Sequence, residues 1–330
     1  MSTSAVVPLK EMPPTGRRVR AYFAPVNRGS STPTIFDPAV NGRFALDAPP
    51  APWIDLGSVA GFERASGTKI EPLLAGSPNV AQAQVRQTLA ATVKMEFLSW
   101  GKLQMALATG SQHMNLPATT GTTPVDGCGG AGSAVVAVMT GSTATSVMVG
   151  TTHVSAFAVG QMIAVDVDYA TGATGFMGSG VSAAYVNAAA ASAIGSDVNY
   201  VRRVTLNTGR IVAITTDSLV LAEPLIAGVP TTAMSVLTIC GFVDREGGSF
   251  FQEWSALFVM DGEQGDRVIF YYPRLQAMQG AAETQNVLVT KPLARWGLAG
   301  FFRALPVSDA LDGESVLCFR SYLPAATALI

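Results

Sequence analysis

The chain has 330 residues, of which 48% are hydrophobic and 13% charged, about half the ~25% charge of an average soluble domain. That balance fits a membrane protein or a subunit largely covered by copies of itself. The longest uncharged run, residues 127–165, is broken by Gly141-Ser142, Gly150-Thr151-Thr152-His153 and Gly160-Gln161, so it never offers the ~20 consecutive apolar residues of a spanning helix. A net charge of −2 excludes the strongly basic footprint of a dedicated nucleic-acid binder.

Residues 1–52 are Pro-rich and poorly periodic. Pro13-Pro14 precede Arg17-Arg18-Val19-Arg20, and no apolar signal-peptide core follows Met1, so this stretch is predicted to be an extended basic arm or long loops. Residues 85–97 alternate. Val85, Leu89, Val93, Met95 and Phe97 share one face, and Arg86, Thr88, Thr92, Lys94 and Glu96 the other. This period of two predicts one long strand of about 40 Å with a single buried face. Leu98, Lys102, Leu103, Ala106 and Leu107 then predict a short helix stopped by Gly110.

Residues 117–132 are rich in Thr, Gly and Pro and read as a linker. From 133 to about 238 the chain carries few charges and many short β-like runs, at 133–139, 146–149, 157–169, 203–214, 219–225 and 234–239. Asn207-Thr208-Gly209 is a hairpin-type turn signal. At Gly241 the texture returns to that of 53–110. Phe250, Trp254, Ala256, Phe258 and Met260 alternate along a strand, Asp261-Gly262 turns the chain, and 267–272 returns it until Pro273. The spacing of Phe250, Trp254 and Phe258 also fits a helix; the Asp-Gly turn favours the strand. Short strands follow at 285–290, 297–305 and 315–322. Residues 1–120 and 241–330 thus read as one domain interrupted by a second over 125–240, the junctions lying at 117–132 and 240–248.

Chemical motifs are sparse. Gly127-Cys128-Gly129-Gly130-Ala131-Gly132 matches the dinucleotide fingerprint, but the strand before it and the helix after it are missing, so it reads as linker. Asp166 and Asp168 share a strand face and could hold a divalent cation; a solvated face is the ordinary reading. His113 and His153 are the two histidines, and neither adjoins a nucleophile motif. Cys128, Cys240 and Cys318 are too few and too scattered for a disulfide framework or a zinc site, which suits assembly in a reducing compartment. Arg17, Arg18 and Arg20 could meet phosphates, or acidic patches of a neighbouring subunit. The carboxylates of Asp244-Arg245-Glu246 and of 261–267 sit in turn-like Gly contexts rather than as a glycosidase pair. No catalytic, cofactor-binding or metal-ligating residue is predicted.

Three segments occur in a telling order: Trp53-Ile54-Asp55-Leu56-Gly57-Ser58-Val59, the alternating stretch 85–97, and the helix ending Leu103-Gln104-Met105-Ala106-Leu107-Ala108-Thr109-Gly110. With the later run Ala256-Leu257-Phe258-Val259-Met260-Asp261-Gly262 and its return Arg267-Val268-Ile269-Phe270-Tyr271-Tyr272-Pro273-Arg274, this resembles the tail tube (major tail) proteins of tailed bacteriophages over roughly 53–110 and 241–323. The resemblance implies a β-sandwich or half-barrel with a packed short helix. It also implies rings, usually of six subunits, that stack around a tape-measure protein into a virion tail tube. Double-stranded DNA later passes through that tube without specific binding, and the subunits are assembled in the bacterial cytoplasm without membrane insertion. The 125–240 segment would be a small peripheral β-domain. Other classes remain open at this point: another virion part (capsid decoration, tail terminator or fibre-associated protein), or a β-rich hydrolase.

Overall fold

The computed structural model describes residues 16–26, 32–110, 112–117, 135–167, 207–245, 253–263, 265–278, 283–287 and 294–325. The chain is mainly β. Its elements are β1 (Gly16–Pro25), α1 (Pro38–Asn41), β2 (Ile54–Ser66), β3 (Lys69–Ala75), β4 (Val80–Thr88), β5 (Ala91–Phe97), α2 (Lys102–Thr109), β6 (Gln112–Pro117), β7 (Val136–Ala137), β8 (Ser146–Met148), β9 (Met162–Asp166), β10 (Thr208–Ile214), β11 (Ser218–Leu221), β12 (Ser235–Arg245), β13 (Glu253–Gly262), β14 (Arg267–Ala277), β15 (Glu283–Val287), β16 (Ala294–Ala304), β17 (Val307–Ser308), β18 (Ser315–Val316) and β19 (Phe319–Leu323).

The larger sheet runs β15-β16-β5-β2-β1-β13-β14-β19, every pair antiparallel. β14 divides its partners. Its first half pairs with β19, and Leu275, Gln276 and Ala277 pair with Ala304, Arg303 and Phe302 of β16. The sheet therefore curls into a half-barrel joined at one end. Inside it lie Phe23 of β1, Val93 and Met95 of β5, Phe258 of β13 and Phe302 of β16, with Leu107 of α2 packed against them. Each such side chain removed from water contributes about 1.5–3 kcal/mol.

The predicted helix forms as α2 from Lys102 to Thr109, without Leu98, and Gly110 ends it at φ +66°. A Cβ there would also come within 3.2 Å of the Ala277 Cβ. Gly110→Ala should thus cost about 1–2 kcal/mol from left-handed backbone strain, read as a lower midpoint in urea denaturation.

The outer face of β1, β13 and β14 is buried as well. Tyr22, Leu257, Ile269 and Tyr271 pack under Phe36 and Trp53 from the segment between β1 and β2. Phe36 and Trp53 meet edge to face at 5.9 Å, an arrangement that suits their ring quadrupoles. The Tyr22 hydroxyl donates to Leu46 O and that of Tyr271 to Thr34 O, both at 2.8 Å. This corrects the expectation of an arm for residues 16–25, which form a central strand; residues 1–15 lie outside the described residues. Ala21, Tyr22, Phe23 and Ala24 are all fully buried. A strand covered on both faces carries no alternation to detect.

Residues 85–97 are not one strand. β4 ends at Thr88, and β5 begins at Ala91. The predicted facing holds for β5, where Val93, Met95 and Phe97 are buried while Lys94 is exposed. It fails for β4, where Val85 is 44% exposed and Arg86 and Thr88 belong to a separate hairpin. The predicted strand at 250–260 is observed from Glu253 as β13, with Trp254, Ala256 and Phe258 facing the interior, while Phe250 lies outside the described residues. Pro273 does not end the returning strand, which runs on to Ala277. A register shift between Trp254 and Ala256 absorbs the missing donor, and Ser255 Oγ donates to Pro273 O at 2.7 Å.

A second sheet runs β6-β12-β9-β10-β11-β8, with β7 also on β12. Its core includes Val147, Ile163, Val165, Ile211 and Leu219. The predicted turn at Asn207-Thr208-Gly209 is extended instead: Thr208 and Gly209 pair with Ala164 and Ile163. Asn207 is 1% exposed; its amide donates to Val165 O at 2.7 Å and its carbonyl accepts from Ala227 N. Two satisfied side-chain bonds in the interior override a local turn preference. Residues 240–245, placed in a junction by the sequence, continue β12 and pair with β6.

Candidate assembly surface

Among the described residues β3 and β4 pair only with each other, from Lys69 opposite Thr88 to Ala75 opposite Val80. They prolong the β2–β5 ladder, since Ser66 stands opposite Ala91 and Gly67 N donates to Ala90 O at 2.9 Å. Residues 54–97 thus form one folded-back ribbon whose inner half lies in the half-barrel and whose outer half stands alone. At ~3.3 Å per residue the free part reaches about 23 Å.

No residue of this hairpin is buried. Ile70, Leu73, Leu74 and Val80 are each more than half exposed. Leu73 stands opposite Ala83 on one face, and Ile70 opposite Arg86 on the other. The polar contacts along it are local. Lys69 Nζ lies 3.1 Å from Glu71 Oε1, and the Gln87 amide donates to Glu71. Surface ion pairs of this kind contribute at most about 1 kcal/mol, and a lone two-stranded hairpin is marginal in water. An apolar ribbon with two open edges and two open faces gains stability by lying against another surface.

The residues singled out by chemistry do not converge. Asp166 is fully buried rather than on a solvated face, and Asp168 lies outside the described residues. His153 is exposed in a turn, while His113 lies on β6 opposite Asp244 of β12. The glycine-rich 127–132 segment, Cys128 and Glu246 lie outside the described residues. Arg18 is exposed, but Arg20 does not await a neighbour: its guanidinium grips the Asp55 carboxylate with both Nε and Nη2. Asp261 takes a similar two-pronged contact from Arg267, whose Nη1 also donates to Gly42 O and Phe44 O. These carboxylates anchor strand ends and loops. Among the described residues no group of three or more His, Cys, Asp or Glu is arranged to hold a metal ion.

Two ionisable clusters escaped the sequence reading because their members are distant in the chain. Arg64 Nε donates to Tyr272 Oη at 2.5 Å and sits 4.9 Å from the Phe270 ring centre; burial pushes the Tyr272 phenol up to about 12 and raises the half-buried Cys318 thiol. Lys102, at the start of α2, donates to Asn115 of β6 and lies 5.9 Å from the Phe242 ring centre. Burial lowers its ammonium from 10.5 to about 7.

The sign follows from linkage. Between pH 7 and 10.5 the unfolded chain holds a proton on Lys102 that the folded chain has lost, so stability rises with pH across that window. Lys102→Met should remove up to about 1.4 kcal/mol per pH unit of that slope. Urea titrations at pH 7 and 9 check this; an unchanged slope would place the ammonium in water.

No protein-family model matches the chain, and no curated protein matches it. No described helix is long and apolar enough to cross a membrane.

Proposed function

We propose that the chain is a structural subunit that assembles with copies of itself into stacked rings, as in the tail tube of a bacteriophage virion. The observation that carries this reading is the Lys69–Thr88 hairpin, with apolar side chains on both faces and no covering surface among the described residues. Low charge across the whole sequence supports it. In such a tube, strands of neighbouring subunits meet edge to edge, and closing the ring removes the open edges that would otherwise aggregate. Rings then stack through contacts that repeat without closing, which gives a filament. The sheet built on β9 to β11 would sit outward as a peripheral domain over 125–240.

The polar face of β5 suits a channel through which DNA slides. Lys94 stands opposite Glu63 on β2, so its charge is offset, and Glu96 adds a carboxylate. A lumen that neutralises phosphates would bind the genome in a salt-dependent way and hold it. The partners in this reading are other copies of the chain, a tape-measure protein within the tube, and DNA in transit. Negative-stain microscopy of the purified chain tests it. Hollow tubes or rings with a central pore are expected. A stable monomer at high concentration in every salt condition would sink it, and compact trimers would favour another virion part such as a capsid decoration.

A further inference from the structure

A cleft of about 490 Å³ opens on the outer side of the half-barrel, between the segment leading to α1 and the β17–β19 region. Ile35, Phe36, Pro38, Tyr271, Pro273 and Phe319 line it. Tyr271 and Phe319 stack at 5.9 Å with planes 20° apart, which makes a flat aromatic floor. The rim is uncovered: Ile35 is 79% exposed, and Leu311, near it in the β17–β18 loop, is 95% exposed. Asp309 and Arg320 are the charged residues that line the cleft.

Aromatic grooves of this kind accept extended proline-rich segments, because proline fixes φ in advance and little entropy is lost on docking. The sequence before β1 reads Pro8-Leu9-Lys10-Glu11-Met12-Pro13-Pro14, with three prolines in seven residues. Lys10 and Glu11 offer opposite charges to Asp309 and Arg320. The Met12-Pro13-Pro14 end of the segment does not reach its own cleft. Gly16 stands opposite Gly262, and Asp261 opposite Arg267, so Tyr271 lies two strands across and about five residues along from Gly16. With ~4.8 Å between strands and ~3.4 Å per residue, that is roughly 20 Å. Met12, Pro13 and Pro14, four to two residues before Gly16, reach about 14 Å at most.

We propose that the cleft receives residues 8–14 of a second copy of the chain, with Met12, Pro13 and Pro14 on the Tyr271–Phe319 floor. This rests on the self-assembly reading and names a contact within it. Docking of each copy's segment on the next would link subunits by a strap separate from the Lys69–Thr88 hairpin.

The test places a benzophenone amino acid at position 12 of the full chain. Equal amounts of ordinary and ¹⁵N-labelled protein are mixed under dissociating conditions, reassembled and irradiated. Crosslinks should join position 12 to peptides containing residues 33–38 or 307–321, and about half should be hybrids of light and heavy chains, as random pairing of two equal pools requires. Ile35→Asp, at an exposed rim position, should lower that crosslink at least tenfold without changing the melting temperature. Crosslinks that map elsewhere, or that never form hybrids, would overturn the proposal. Sedimentation of the same samples separates the two failures. If the protein is multimeric while position 12 avoids the cleft, only the strap is wrong. If the protein is monomeric throughout, the self-assembly reading beneath it falls as well.

Discussion

Val93→Asp should prevent the half-barrel from folding. Val93 is fully buried in β5, between Phe302 of β16 and Arg64 of β2 in register, within the central core cluster. A carboxylate placed there loses its water, and Arg64, the cation opposite it, is already engaged by the Tyr272 hydroxyl and the Phe270 ring. Breaking or leaving uncompensated a buried charge costs about 3–5 kcal/mol, a large share of the ~5–15 kcal/mol that holds a domain together. The neighbouring Thr92→Asp points to the other face, where Arg303 stands opposite, and should stay within about 1 kcal/mol of wild type. Far-ultraviolet circular dichroism with urea titration separates the two. If Thr92→Asp unfolded the chain and Val93→Asp did not, the assignment of faces would be inverted.

Alternation made β5 legible because one face is buried and the other wet. The same logic explains what was hidden. β1 is buried on both faces, so residues 21–24 show no period and sit beside prolines that suggest a loop. In the β4 stretch Val85 and Arg86 continue the alternation of β5, yet the hairpin there is exposed on both faces and the pattern reports no core. Periodicity records which residues differ, and a core is one of several reasons for them to differ. Asn207 and Pro273 failed for another reason: a turn former and a strand breaker were each accommodated by a bond from a distant segment, Val165 and Ala227 in one case and Ser255 in the other. The hairpin as a candidate assembly surface was unreadable, because its mark is exposure of apolar residues. Exposure is a property of the fold.

That hairpin gives the sharpest separation between folding and assembly. Leu73 and Leu74 are 55% and 57% exposed and lie on opposite faces of the ribbon or beside its register shift, far from the core clusters. Changing either to Asp removes no side chain from a core cluster of the single chain. Stability of the isolated subunit should remain within about 0.5 kcal/mol of wild type, as for surface substitutions generally. In an assembly the same residues are covered by a neighbour, and a carboxylate would be desolvated at every copy of the contact. At several kcal/mol per interface, with about 1.4 kcal/mol per factor of ten, the association constant should fall by at least a hundredfold. Leu73→Asp/Leu74→Asp should therefore give a folded chain that sediments as a single subunit where the wild type forms rings or tubes. Leu73→Ile, which keeps the apolar surface, should assemble normally. Tubes formed by the double Asp variant would show that the hairpin hangs free in the assembled state, and the self-assembly reading would lose the observation that carries it.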